Sequence, residues 1–121
     1  MEVTPEEARN ERESIRLFES ILKREPNNSA AYFEITKSLI RLGKYKEALK
    51  VLDDARKQCP EKSMHDLRFN YNHGFLRGEA LEKLGQKEAA AGAFRFAERH
   101  APDNRRKMTA GLRAIIVDPT L

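Results

Sequence analysis

Cys59 stands immediately before Pro60, a pairing that can offer a thiolate to a haem iron, and His65 and His73 lie eight residues apart, close enough on one helix to offer two imidazoles to a metal. Gly74-Phe-Leu-Arg-Gly78 has the glycine content of a phosphate-cradling loop, and Arg105-Arg106-Lys107 sets three cations in a row. Each of these chemistries needs a second element. A haem site needs an axial-ligand pocket that no other residue pattern supplies. Arg68 and Phe69, at i+3 and i+4 from His65, provide no carboxylate or thiolate to complete a metal set. The Gly74–Gly78 stretch lies within a helical pattern and lacks the preceding strand of a nucleotide loop. No nucleophile elbow or Ser/His/Asp grouping occurs, so the sequence predicts no catalytic residue, no metal and no cofactor.

Charge is the remaining chemistry. The chain carries a formal net charge of +4, and the segment Arg95–Arg113 alone holds Arg95, Arg99, Arg105, Arg106, Lys107 and Arg113 against Glu98 and Asp103. One reading is a solvated helix end; the other is a patch for nucleic acid or an acidic partner. No aromatic residue is interleaved with Arg105–Lys107, so nucleic-acid binding stands as the alternative reading rather than the leading one.

The elements that would position these residues are helices. Thr4 precedes Pro5, Glu6 and Glu7, a helix start favoured by the proline and by acidic residues at the positive pole, and Ala8, Ile15, Phe18 and Leu22 form one apolar stripe. Glu25-Pro26-Asn27-Asn28 breaks the pattern and offers a cap to the next helix. A second stripe, Ala31, Tyr32, Ile35, Leu39 and Ile40, stops at Gly43, and a third, Tyr45, Ala48, Leu49, Leu52 and Ala55, stops at Pro60. Then the grammar recurs: a helix to Leu84, a turn at Gly85, and Ala89, Ala90, Ala93, Phe94 and Ala97 leading to Pro102. Pro26 and Pro60 are 34 residues apart, whereas Pro60 and Pro102 are 42 apart, and the eight extra residues fall near EKSMHDLR. Ser63 can cap a helix there, so the insertion reads as extra turns on one long helix over Met64, Leu67, Tyr71, Phe75, Gly78 and Leu81. Asp103 caps a terminal helix through Met108, Leu112 and Ile115.

At 121 residues, 40% hydrophobic and 35% charged, the chain suits a single amphipathic helical domain. No run reaches the ~18 apolar residues of a membrane span, and the first residues lack the apolar core of a signal peptide, which together predict no membrane association and a cytoplasmic location. The lone Cys59 removes any internal disulfide.

A helix, a glycine turn, a second helix and a proline stop at a 34-residue period resembles the tetratricopeptide repeat. In the first full repeat Tyr32 stands for the repeat's Trp, Ile35 and Thr36 for its Leu-Gly, Leu39 for its Tyr, Ala48 and Leu52 for its A-x3-F, Ala55 for its second small position, and Pro60 closes the unit. In the next, Gly78, Ala90, Phe94, Ala97 and Pro102 match and Leu81 replaces the Tyr. Gly74 and Arg77 depart from the Trp and Leu. Upstream, Ser14, Phe18, Ile21 and Pro26 match half a unit. The resemblance implies an all-α fold, a short right-handed α-solenoid of antiparallel helix pairs. It divides the single domain into a half repeat over residues 4–25, full repeats over 29–60 and 63–102, the second with an elongated first helix, and a capping helix over 103–117.

The resemblance also implies a non-catalytic interaction module that holds a peptide or partner helix in a concave groove. Its groove positions fall on Ala30, Phe33, Lys37, Ile40 and Arg41, then on Asn72, Phe75, Glu79, Glu82 and Lys83. Phe33 and Phe75 are either apolar anchors in that groove or packing residues. One branch of the family clamps acidic chaperone tails with five basic and amide side chains. Phe33, Lys37, Leu76 and Ala110 stand at four of those places, with Arg106 at the fifth, so chaperone-tail binding is not expected. Leu112, Ile115, Ile116 and Val117 crowd the C-terminus and need cover, either from the preceding pair through Leu81, Ala89, Ala93 and Phe96 or from a second copy of the chain, a homodimer through the C-terminal helix.

Overall fold

The computed structural model describes residues 3–120. Among them are seven helices: α1 (Pro5–Arg24), α2 (Ser29–Arg41), α3 (Tyr45–Gln58), α4 (Pro60–His65), α5 (Leu67–Lys83), α6 (Lys87–Arg99) and α7 (Asn104–Val117). Their ends follow local chemistry. The side chains of Thr4, Asn28, Asp66 and Asp103 accept from the backbone amides of Glu7, Ala31, Phe69 and Arg106, satisfying donors that the first turn leaves without partners. α2 and α5 close alike. Gly43 (φ 78°) and Gly85 (φ 80°) take the left-handed conformation. Their amides bond to the carbonyls of Ile40 and Glu82, and the amides of Lys44 and Gln86 reach back to Leu39 and Leu81. The chain therefore folds as the repeated helix–glycine turn–helix that the spacing predicts.

The insertion differs from expectation. In place of one elongated helix from Ser63, the chain forms the short α4, breaks at Asp66 in extended backbone, and restarts as α5. Two side chains make the break. Asp66 caps the start of α5, and Asn70 Nδ2 donates to the Ser63 carbonyl at 3.0 Å, satisfying an acceptor at the end of α4. Ser63 is not the cap, and Met64 lies exposed. His65 and His73 consequently sit on different helices.

Where the sequence suggests one domain over 1–121, the helices gather into two compact units, one ending at Cys59 and the other beginning at Pro60. In the first, α1 and α3 both pack on α2. Tyr32 Oη donates to the Pro26 carbonyl at 2.9 Å, and Cys59 Sγ donates to the Asn27 carbonyl at 3.3 Å, so the two proline turns are tied to the buried core. Burial raises the Tyr32 phenol above its usual range, with the Asp54 carboxylate adding to it. In the second unit α6 packs on both α5 and α7, and α4 lies against α5.

The two repeats build the same helix pair with bulk on opposite sides. Tyr32 and Thr36 correspond to Gly74 and Gly78, while Asp54 and Leu52 correspond to Phe96 and Phe94. A Cβ on Gly78 would stand 2.7 Å from the Phe94 ring, and one on Gly74 would meet Phe96 at 2.9 Å and the α6 backbone at 3.1 Å. The missing Trp is thus replaced by phenylalanines reaching from α6 into the space that α5 vacates.

Candidate functional site

In the first unit α1 and α3 both pack on α2, and a cleft of about 470 Å³ is lined by all three, with Ile35 and Leu39 buried at its base. Its apolar lining comes from Ile15 on α1, Ile35 and Leu39 four residues apart on one α2 face, Leu42 at the cap that follows α2, and Val51 on α3. Its charged lining alternates in sign: Arg12, Arg16, Lys44 and Lys50 against Glu19, Glu47 and Asp54. Nothing in this set resembles a nucleophile with its base. It is an apolar slot edged by mixed charge.

The α2 positions expected to line a groove face elsewhere. Phe33 is buried, 6% exposed, which fits the packing reading of that ring. Lys37 is exposed and pairs with Glu34 at 3.2 Å, Ile40 is half-buried, and Arg41 Nε donates to Glu11 Oε2 at 2.6 Å. That Arg41 bond holds the Glu11 carboxyl below its usual range against the opposing effect of burial. Sequence reasoning passed over this cross-helix pair because its partners lie 30 residues apart.

In the second unit Asn72 is exposed, whereas Phe75, Glu79 and Glu82 converge on a single side chain from α7. The Arg113 guanidinium carbon lies 5.4 Å from the Phe75 ring centroid and 4.9 Å from that of Phe94. Its nitrogens reach Glu82 Oε1 at 2.8 Å and Glu79 Oε2 at 3.7 Å. Phe75 also stacks on Tyr71 at 5.6 Å and meets Phe94 edge-on at 5.2 Å. Burial raises the Glu79 carboxyl, and Arg113 only partly offsets this. Three of the predicted groove residues of α5, Phe75, Glu79 and Glu82, therefore meet the chain's own Arg113.

Arg113 thereby leaves the predicted basic patch, and two more members are engaged. Arg95 pairs with Glu98 at 3.0 Å, and Arg106 pairs with Asp103. Arg99 and Lys107 line a hollow at the α6–α7 turn together with Glu98 and Asp103, the same carboxylates that pair with Arg95 and Arg106. Arg105 is exposed. Of the other candidates, Cys59 is buried against Asn27, His73 is buried and stacked on Phe69 at 6.1 Å, and no three His, Cys, Asp or Glu side chains cluster as metal ligands among the described residues.

A family model for the tetratricopeptide repeat matches residues 6–68, from α1 to the start of α5 and slightly over half of the chain. The chain belongs to the tetratricopeptide repeat family. A search of curated proteins finds no match. Tetratricopeptide repeats generally mediate protein–protein interaction, and the matched stretch contains the α1–α3 cleft whole. No helix among the described residues is long and apolar enough to cross a membrane.

Proposed function

We propose that this tetratricopeptide repeat protein is a non-catalytic interaction module, and that the cleft between α1 and α3 takes an amphipathic segment of another protein. The observation that carries this reading is the cleft itself: five aliphatic side chains at its base and charges of both signs around it. Such a surface suits a peptide or helix with an apolar stripe and mixed flanking charge, the side chains filling the slot and the rim setting register. The test is selection of ligands from a displayed peptide library. Ligands of the wild type should lose at least tenfold in affinity to Val51→Asp, a half-buried position, while far-ultraviolet circular dichroism stays unchanged. Ligands indifferent to that change would place the interaction elsewhere.

A further inference from the structure

Met108, Leu112, Ile115 and Ile116 fall on one face of α7 and are 66%, 53%, 49% and 71% exposed. The opposite face, Ala110, Ala114 and Val117, is buried. A strip of this kind, on the order of 400 Å², rivals the largest apolar patch of an ordinary monomer, and such patches mark interaction sites.

The charge on α7 runs against the pattern of the other helices. Each of α1 to α6 carries a basic residue in its last turn, where it complements the negative pole. α7 carries none there and ends on Asp118, while Arg105, Arg106 and Lys107 crowd its start. Arg105 lies seven residues, two turns, before Leu112 and so on the face of the exposed strip.

We propose that α7 pairs antiparallel with the α7 of a second copy of the chain, about a two-fold axis near Leu112. Met108 of each copy then faces Ile116 of the other, and Arg105 of each meets the Asp118 end of the other. Charge selects both occupant and direction. An antiparallel pair sets the basic start of each helix beside an acidic end that lacks its own cation, whereas a parallel pair would oppose Arg105 to Arg105. A two-fold contact also needs one self-complementary surface, which the strip and its two charged ends provide. Doubling the strip gives about 800 Å², and flanking side chains bring the total toward the ~1,200 Å² lower end of specific interfaces, so the dimer is weak and concentration-dependent.

Sedimentation equilibrium of the full chain at low salt tests this pairing. The mass should rise with concentration from one chain toward two and no further, and the Leu112→Glu/Ile116→Glu variant should remain monomeric with wild-type helical content. Arg105→Asp and Asp118→Arg should each weaken association roughly three- to tenfold, two equivalent contacts being lost, and combining them should recover most of that loss. A monomer at every concentration, growth beyond two chains, a dimer indifferent to the glutamates, or a charge swap that recovers nothing would each overturn the proposal.

Discussion

Arg113 is the side chain on which the second unit closes. It stacks on Phe75 and Phe94 and reaches two carboxylates at once, a combination of planar stacking and forked hydrogen bonding that an ammonium cannot reproduce. Arg113→Ala should therefore cost about 1–3 kcal/mol in urea unfolding, and Arg113→Lys should recover little of it. Glu79 contributes a pH dependence of its own. Its folded-state carboxyl is raised, first by burial, so folding takes up a proton there. The stability this contributes is full below the ordinary carboxylate range and is lost as pH rises through the raised folded value. Relative to wild type, Glu79→Gln should gain in melting temperature as pH increases from about 4 to 7. A difference that moves the other way would show that the Arg113 attraction outweighs the burial.

At the scale of elements, the pairing of α5 with α6 depends on two glycines rather than on the aromatic residue of the first repeat. Gly78→Ala forces a methyl group against the fully buried Phe94 and should cost about 1–3 kcal/mol. The first repeat carries Thr36 and Leu52, both buried, at the corresponding places, so adding Phe94→Leu to Gly78→Ala should relieve the clash, and a double-mutant cycle should return a coupling of about 0.5–3 kcal/mol. Gly92 provides the contrast. It is exposed in α6 and a Cβ there meets nothing within 4 Å, so Gly92→Ala should stabilise the protein by about 0.5–1 kcal/mol through helix propensity alone.

At the scale of the whole molecule, the cations of the Arg95–Arg113 segment are divided, among the described residues, between ion pairs and exposed positions. Arg95, Arg106 and Arg113 are held in ion pairs, Arg105 is exposed, and Arg99 and Lys107 line a hollow whose two carboxylates already pair with Arg95 and Arg106. Any binding to generic RNA or duplex DNA should therefore neutralise few phosphates, about three or fewer, with a correspondingly shallow salt slope and no mobility shift at about 0.15 M salt. A steep slope would return the Arg95–Arg113 segment to the position of a binding site.

The sequence by itself determined the helices other than the α4–α5 break, their glycine turns and proline stops, and the repeat they build, because these rest on interactions within five residues of the chain. Thr4, Asn28 and Asp103 cap where a short polar side chain can reach an amide three residues on, and Gly43 and Gly85 turn where a Cβ would be strained. Tertiary structure decided which of two apolar faces points inward. Leu112 and Ile115 look like a core stripe, yet α7 buries Ala110, Ala114 and Val117, because small residues let it approach α6 closely and bring Arg113 over two aromatic rings. Of the four large residues crowded at that end, only Val117 is covered. Periodicity shows that a face is apolar. The shape and charge that a neighbour offers decide whether that face is buried, and this neighbour is set by contacts far apart in sequence.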